Sequence, residues 1–371
     1  MAHGSRTAES CWSCGALVAL RDLTESVPGR TAQPLSYGQP SISILVPTLN
    51  AERTIAECLG AIKRQRYPQE LIEIIVADGG SQDRTRSIAS DYGARIVMNP
   101  LRTGECGKAV ALAHARNDLV CLIDSDNILV GDDWFARMVV PFQRAAVVGS
   151  EPIAFACAPG DSLIDRYCAA MGVNDPLCLF LGNYDRRSAL TGRWTSLPIK
   201  TERIDGNLYF TLQQKWLPTI GANGTMYRRI AITALVSDEL VDIDLPCQLR
   251  EAVPGALFAK VDVAIRHLYC TDIQTFMRKQ TRRIRDVFSE RRRARKGNYP
   301  WVSEGRLGIV RFCLCTLLVV PLLWQVGVAF RRSRQRAVLF HPIACWLTLG
   351  TYAVNYLFAR GRPLSRDDWR Q

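Results

Sequence analysis

The chain has 371 residues, of which 48% are hydrophobic and 22% charged, an ordinary composition for a globular protein and enough for one large α/β domain with appended segments. Its formal net charge of +12 is unevenly spread, because residues 278–296 carry ten Lys or Arg against two acids. Such a block suits nucleic acid, an anionic membrane or a solvated helix face, and the lack of a nucleic-acid motif or interleaved aromatic residues argues against nucleic acid.

The first 38 residues carry Gly, Ser, Thr and Pro without an apolar period, which predicts a flexible leader. Within it, Cys11 and Cys14 have the spacing of a zinc or redox half-site, but no second CxxC pairs with them and we expect the pair to be inert. The 13 cysteines are scattered, several inside apolar runs. In a reducing cytosol this predicts buried thiols, not disulfides.

From residue 41 onward, short apolar runs alternate with stretches of helical spacing. This alternation predicts a mostly parallel sheet with helices on both faces, in which ligands bind outside the carboxyl ends of the strands. Asn50, Asp78 and Asp124 all fall at such ends. The predicted strands are 41–46, 71–78, 95–100 and 119–126, and the predicted helices are 51–65, 84–94 and 107–116.

Two carboxylates, Asp124 and Asp126, follow the last of these strands. If the strand continues through Asp126, both side chains share one face at close range, and they repel unless a cation or a proton lies between them. One interpretation is a magnesium or manganese site. The other is a solvated turn, since Asp and Ser are common turn residues.

A dinucleotide-binding fold is the obvious alternative for such a sheet. No GxGxxG follows the first predicted strand, where the sequence VPTLNAE has no glycine, and no Walker phosphate loop is present. The sequence therefore argues against both phosphate-binding turns.

Three segments occur in a specific order: ISILVPTLNAERTIAECLGAIKRQRYP, IIVADGGSQDRT and GKAVALAHARNDLVCLIDSDN. Together they resemble a family-2 glycosyltransferase of the GT-A fold, over residues 41–285. The resemblance implies that Asp78 holds the nucleotide base and Lys108 faces the phosphates. It implies that Asp124 and Asp126 form the DxD motif, which binds the ribose and a metal that bridges the diphosphate. The implied nucleotide pocket is lined by Pro47, Asn50, Glu52, Asp78 and Gly80.

Further along, residues 219–229 resemble the family's glycine-rich loop on the acceptor side, with Gly221 and Gly224. The segment LVDIDL stands where the family has Glu-Asp, which implies Asp242 as the general base, although Val241 replaces the Glu. Asp244 and Glu239 are close enough in sequence to be rival bases.

Two later features are ambiguous. His267 stands where some GT-A enzymes place a metal ligand, but a partly buried structural histidine is the more common role. Residues 280–284 resemble the QxxRW motif of processive polysaccharide synthases, with Ile284 in place of Trp. We expect Gln280 and Arg283 to contact the diphosphate or the acceptor, because Arg suits bidentate phosphate binding.

Residues 312–330 and 337–359 are two runs without a charge, each about long enough to cross a membrane as a helix. The basic block before them is the expected cytoplasmic flank. The apolar run at 16–20 is too short for a signal peptide, so we expect a cytoplasmic catalytic domain at the inner or plasma membrane. The predicted divisions are a leader (1–38), a GT-A domain (39–277), a basic juxtamembrane segment (278–306), two membrane helices (307–360) and a tail (361–371).

Two topologies compete for the first apolar run. A two-span hairpin would place the four arginines of residues 331–336 on the far side, against the positive-inside rule. Pro321 favours a break in that run. We therefore predict a re-entrant segment, with residues 331–336 on the cytoplasmic side.

The leading functional hypothesis is a metal-dependent, inverting hexosyltransferase that uses a nucleotide-sugar donor. Its acceptor would be a polyprenyl phosphate or a lipid-linked saccharide, and its basic block would bind anionic lipids. One alternative is a soluble or polysaccharide acceptor, with the tail as a tether only. Another is a catalytically silent scaffold that binds nucleotide sugars.

Overall fold

A computed structural model describes residues 38–288, Tyr299 and residues 306–358. Four predicted features lie wholly or largely outside the described residues: the leader, the Cys11–Cys14 pair, the second half of the basic block and the tail 361–371.

One mixed sheet of ten strands forms the centre of the protein, in the order β3-β2-β1-β4-β9-β6-β10-β8-β7, with β5 paired to β10. The first four strands are mutually parallel, and β6 is parallel to β10. β9 runs antiparallel between β4 and β6. The predicted mostly parallel α/β sheet is therefore confirmed. The strands are β1 Ile42–Thr48, β2 Ile72–Asp78, β3 Arg95–Met98, β4 Leu119–Leu122, β5 Asn127–Leu129, β6 Val147–Ala156, β7 Glu202–Ile204, β8 Asn207–Thr211, β9 Thr225–Arg228 and β10 Leu257–His267.

Helices cover both faces of this sheet, because alternate residues of its strands are apolar on both sides. Ile44 of β1 packs into one core and the adjacent Leu45 into the other. The first core is filled by α1 and α4, the second by α3, α7 and α8. The helices are α1 Glu52–Lys63, α2 Thr85–Asp91, α3 Gly104–His114, α4 Trp134–Val139, α5 Leu163–Met171, α6 Leu177–Leu181, α7 Arg229–Thr233, α8 Leu245–Ala252, α9 Ile273–Phe288, α10 Arg306–Leu318, α11 Val320–Ser333 and α12 His341–Phe358.

The predicted strand 119–126 is too long. β4 ends at Leu122, and the chain turns before β5 begins at Asn127. Asn127 closes the turn, because its backbone N–H donates to the Asp124 carbonyl at 2.9 Å and its side-chain oxygen accepts from the Asp124 N–H at 3.3 Å. Asp124 and Asp126 therefore lie in a turn, and the argument that they share a strand face was wrong.

The C-terminal part holds three helices where two were predicted. The first apolar run breaks at Val319, whose φ is +60°, two residues before Pro321, and α10 and α11 meet there at a bend of 97°. By length and composition alone, the described residues contain one helical stretch, Arg336–Leu357, that could cross a membrane, and the bent pair would count as a second span.

Candidate functional site

The loops after β1 and β2 are tied together by the residues expected to line the nucleotide pocket. The Asn50 N–H donates to Ser81 Oγ at 2.9 Å, and Asn50 Oδ1 accepts from the Gln82 N–H at 3.0 Å. Glu52 Oε2 accepts from the Arg84 N–H at 2.8 Å. These hydrogen bonds join the loops after β1 and β2 into one wall of the candidate nucleotide pocket.

Asp78 organises this wall from inside. Its carboxylate is fully buried and accepts from the N–H groups of Gly80 and Ser81 at 3.0 and 2.9 Å. It also accepts from the hydroxyls of Ser81 and Thr48 at 2.5 and 3.2 Å. Gly80 has a φ of +87°, which favours glycine. Contact between Asp78 and a nucleotide base stays a prediction, because its oxygens already serve the loop.

Lys108 lies at the centre of the candidate site and connects two predicted groups that are far apart in sequence. It belongs to α3, which approaches β1 closely where Gly107 meets Pro47. Its buried ammonium lies 3.5 Å from Asp242 Oδ1 and 4.0 Å from Asp124 Oδ1. Burial alone would lower the pKa of Lys108, but Asp242 and Asp124 outweigh burial and hold this pKa above its usual range.

Asp126 faces two other basic side chains. His267 Nε2, at the end of β10, lies 3.5 Å from Asp126 Oδ1, and the Lys279 ammonium of α9 lies 3.8 Å from Oδ2. Desolvation would raise the pKa of Asp126, but His267 and Lys279 hold it below the usual range of a carboxyl. Desolvation and the charges of Asp126 and Asp242 raise the pKa of Asp124, although Lys108 opposes them. The two acids of the turn therefore have different electrostatic environments.

A cavity opens beside this group, and Asp242 is on its wall. Helix α9 also lines the cavity and contributes Lys279, Arg282 and Arg283. Of the two residues of the QxxRW-like segment, Arg283 faces the cavity, and its Nη1 lies 3.6 Å from Asp175 Oδ2. Gln280 is buried and donates to the Asn174 carbonyl at 2.9 Å. Gln280 therefore supports the cavity wall, and its contact with a ligand stays a prediction.

The two rival bases differ sharply from each other. Asp244 is fully buried at the start of α8, and its Oδ1 accepts from the Tyr299 N–H at 2.9 Å. Glu239 does line the cavity. The geometry therefore leaves Asp242 and Glu239 as the acids of this segment that reach the cavity.

The acceptor-side loop is connected to the acidic turn. Asn127 Nδ2 donates to Asn223 Oδ1 at 3.2 Å. A Cβ built on Gly221 would lie 3.5 Å from Asp242 Oδ2, so glycine at this position leaves room beside the candidate base. The structure thus brings the DxD turn, Lys108, Asp242 and the glycine loop together.

Sequence reasoning missed a buried charge network below the cavity. Glu151 accepts from Arg186 Nη1 and Lys260 Nζ at 2.5 Å each, and all three side chains are fully buried. Arg186 also pairs with Asp185, which lines the cavity. Burial raises the pKa of Asp185 to about 7, although Arg186 opposes this. Isolated charges within the apolar strands β6 and β10 were the available signal, because charges are rarely buried unless paired.

Gly224 gives a test of how tightly this loop is packed. Its φ is +78°, and an added Cβ would lie 2.8 Å from the buried ring of Trp134 and 2.9 Å from Ile265. We expect Gly224→Ala to lower the free energy of unfolding by about 2–4 kcal/mol, from left-handed strain and overpacking together.

The matched control is Gly206→Ala, where φ is +83° but an added Cβ meets nothing within 4 Å. Gly206→Ala should lower the free energy of unfolding by about 1–2 kcal/mol, from backbone strain alone. Chemical unfolding of both variants measures the difference, and equal losses would show that the loop is not tightly packed against Trp134.

The acidic turn also offers possible ligand atoms for a divalent cation. Among residues 38–288, 299 and 306–358, no group of three or more His, Cys, Asp or Glu is arranged to hold a metal ion. Asp124, Asp126 and the adjacent imidazole of His267 nevertheless supply ligand types that suit Mg²⁺ or Mn²⁺. Nucleotide-dependent Mg²⁺ sites often use one or two carboxylates and complete the coordination with substrate phosphates. The residues present fit a cation of that kind.

Together, the mixed sheet and the acidic turn after β4 give an α/β fold of the GT-A type. Residues 43–201 match the family model described as Glycosyl transferase family 2.

Two relatives named as glycosyltransferases are similar to part of this chain. Glycosyltransferase AglE of Haloferax volcanii is 40% identical over 136 residues, which cover 34% of this chain and 44% of AglE. Probable glycosyltransferase YdaM of Bacillus subtilis is 33% identical over 98 residues, 24% of this chain and 23% of YdaM. The match thus spans less than half of the length of either relative.

A solved structure is similar over most of the chain. It is the mannosyltransferase PcManGT from Pyrobaculum calidifontis in complex with GDP-Man and Mn²⁺, with a TM-score of 0.51 and 15% identity, covering 94% of this chain and 96% of that one. At this identity the likeness shows the fold alone.

Proposed function

We propose that this protein transfers a sugar from a nucleotide-sugar donor to a membrane-associated acceptor, with inversion at the anomeric carbon and with a divalent cation. The observation that carries the proposal is the position of Lys108. Its ammonium lies between Asp124 of the DxD turn and Asp242 on the cavity wall. A donor diphosphate near Asp124 and an acceptor near Asp242 would then meet beside the buried ammonium of Lys108.

The chemistry follows from this arrangement. Asp242 takes the proton of an acceptor hydroxyl as its oxygen attacks the anomeric carbon. The bond from that carbon to the diphosphate oxygen breaks, and its electron pair leaves with the nucleoside diphosphate. Lys108 is placed to stabilise the developing negative charge. A single nucleophilic displacement by the acceptor oxygen, assisted by one general base, inverts the configuration at the anomeric carbon.

Asp126 and Asp124 would hold the cation, with His267 as a candidate third ligand. When bound, the cation supplies further neutralisation of the leaving diphosphate. Magnesium and manganese both accept this combination of carboxylate and imidazole ligands.

The proposed site for the acceptor is the cavity beside α9. This helix exposes Ile273 and Met277 next to basic residues, a combination suited to a membrane surface. The C-terminal helices expose many more apolar side chains. We propose a location at the inner or plasma membrane, with the catalytic domain in the cytoplasm.

The test is a transfer assay with the full chain in lipid vesicles. UDP- and GDP-sugars are supplied with Mn²⁺, with and without a polyprenyl phosphate, a lipid-linked saccharide or a soluble saccharide. Turnover that depends on Mn²⁺ and on a lipid acceptor is expected. Equal turnover with the soluble saccharide would favour the alternative in which the C-terminal region only tethers the enzyme to the membrane. Donor binding without turnover would indicate a catalytically silent scaffold protein.

A further inference from the structure

The helices α10 and α11 form a V whose two arms pack together with α12 and whose two outer ends rest on the catalytic domain. Near the start of α10, a Cβ built on Gly308 would lie 2.8 Å from the Phe180 carbonyl of α6, and the rings of Phe312 and Phe180 lie 5.2 Å apart. At the end of α11, Arg332 donates to the carbonyls of Ala189 and Leu190. The chain therefore leaves the catalytic domain along α10 and returns to it along α11.

The tip of the V carries exposed apolar side chains. Leu318, Val320 and Trp324 are 65%, 71% and 69% exposed, although an apolar residue at a soluble surface would gain from burial. Leu314, Leu317 and Leu323 continue the same exposed surface. A contiguous apolar patch of this kind marks an interaction site.

The size of the V fits half of a bilayer. The two helices have 13 and 14 residues, each about 20 Å long at about 1.5 Å per residue. With the 97° bend between them, the tip extends at most about 15 Å from the line that joins the two ends, against about 30 Å for a hydrocarbon core. The V is too shallow to cross.

Helix α12 is long enough to cross but is docked on the catalytic domain at both ends. His341 Nδ1 lies 2.8 Å from the hydroxyl of Tyr167 in α5. Tyr352 donates to Asp175 at 2.5 Å, and Asn355 accepts from Arg285 of α9 at 3.0 Å.

These contacts extend over about 21 Å of helix, from position 341 to position 355. A crossing helix would place Asp175 and Arg285 beside the bilayer interior, where charged groups are costly. The contacts of α12 therefore favour a helix that lies along the membrane surface.

The charges of this region match an anionic lipid surface. Residues 306–358 contain six arginines and no acid. Four of the six lie in residues 331–336, at the base of the V where lipid headgroups would be. Charge complementarity therefore favours lipid as the occupant of the apolar face.

We infer that α10, α11 and α12 seat the protein in one leaflet of an anionic bilayer, and that none of these three described helices crosses it. The inference rests on the proposed membrane attachment. It places residues 331–336 and the C-terminal end of α12 on the same side as the catalytic domain. The acceptor cavity would then open toward the headgroups of that leaflet.

Two cysteine positions distinguish the possible topologies in cells that express the full chain. Ser333→Cys reports the base of the V, and a cysteine appended after Gln371 reports the C-terminal side of α12. Ser90→Cys, on the exposed end of α2, is the matched control for the catalytic domain. Labelling by a membrane-impermeant thiol reagent is compared in intact and permeabilised cells, with the parent chain as the baseline.

All three cysteines should be labelled from the same side of the membrane. Labelling of Ser333→Cys on the opposite side from Ser90→Cys would establish a two-span hairpin and overturn the inference. Labelling of the appended cysteine on the opposite side would show that α12 crosses, with the same consequence. If all three label in intact cells, the inference holds and the proposed cytoplasmic location fails.

Insertion is tested by flotation with vesicles of phosphatidylcholine and phosphatidylglycerol. Val320→Glu puts a charge at the apolar tip, at a helix start where a carboxylate does not disturb the helix. We expect at least about tenfold weaker vesicle binding, with binding of the nucleotide-sugar donor retained. The control is Ile230→Glu, an exposed apolar residue of α7, which should bind within about twofold of the parent.

Vesicle binding by Val320→Glu equal to that of the parent would overturn the inference. If that variant also converted an oligomer of the parent into a monomer, the apolar tip would belong to an interface with a second copy of the chain.

Discussion

Replacing Asp126 by alanine is expected to abolish sugar transfer and leave the fold intact. Asp126 lies in the turn between β4 and β5, outside the apolar cores, so its loss creates no cavity. Its carboxylate is the one that His267 and Lys279 keep ionised, which suits it to a cation. Loss of several kcal/mol of charge stabilisation corresponds to a fall in kcat of about a thousandfold.

The measurement is turnover over a titration of Mn²⁺, together with the unfolding temperature. Asp132→Ala is the matched control, since this acid of the loop after β5 pairs with Arg66 at 3.0 Å and not with His267 or Lys279. It should retain full activity. Unchanged turnover of Asp126→Ala in saturating Mn²⁺ would remove Asp126 from the metal site.

The parallel half of the fold was predictable because its signals are local. The apolar runs of β1 and β2 and the helical spacing of α1 depend on neighbours in sequence, and the structure places all three within a few residues of the prediction. The end of β4 was not predictable in the same way. Asn127 ends that strand through hydrogen bonds to Asp124. The apolar pattern of the sequence does not indicate these hydrogen bonds.

The centre of the candidate site depends on contacts between distant residues. Lys108 and Asp242 are 134 positions apart and meet where the segment after β9 lies against α3. In this contact the Leu240 N–H donates to the Glu105 carbonyl of α3 at 3.0 Å. The resemblance suggested both residues, but no local pattern links them. The Glu151–Arg186–Lys260 network is similar, since each charge was visible in the sequence and its partners were not.

In the C-terminal region, length and hydropathy alone do not decide the topology. Two uncharged runs predicted two membrane helices, but hydropathy does not record which side chains pack on the catalytic domain. Arg332 and Tyr352 make such contacts, and they alter the interpretation of both runs. Pro321 was the one local signal for the break in the first run, and the break is present.

The effect of Asp242→Asn should depend on the class of acceptor. With a hydroxyl acceptor, loss of the base is expected to lower kcat by about 100-fold or more, with the KM for the donor nearly unchanged. A phosphate monoester has a second pKa near 6, so its oxygen is already ionised at pH 7 and has no proton to give up. With a polyprenyl phosphate acceptor, we therefore expect a loss of less than about tenfold.

The same variant assayed with a lipid-linked saccharide and with a polyprenyl phosphate separates these cases. Glu239→Gln is the control for the other cavity acid and should retain most of its activity with either acceptor. Asp244→Asn should instead lower stability, because its buried carboxylate accepts the Tyr299 N–H. A large loss of kcat in Glu239→Gln, with Asp242→Asn nearly normal on a hydroxyl acceptor, would transfer the role of base to Glu239. A large loss in Asp242→Asn with both acceptors would mean that this carboxylate acts through Lys108, whose ammonium it holds 3.5 Å away beside the proposed diphosphate site.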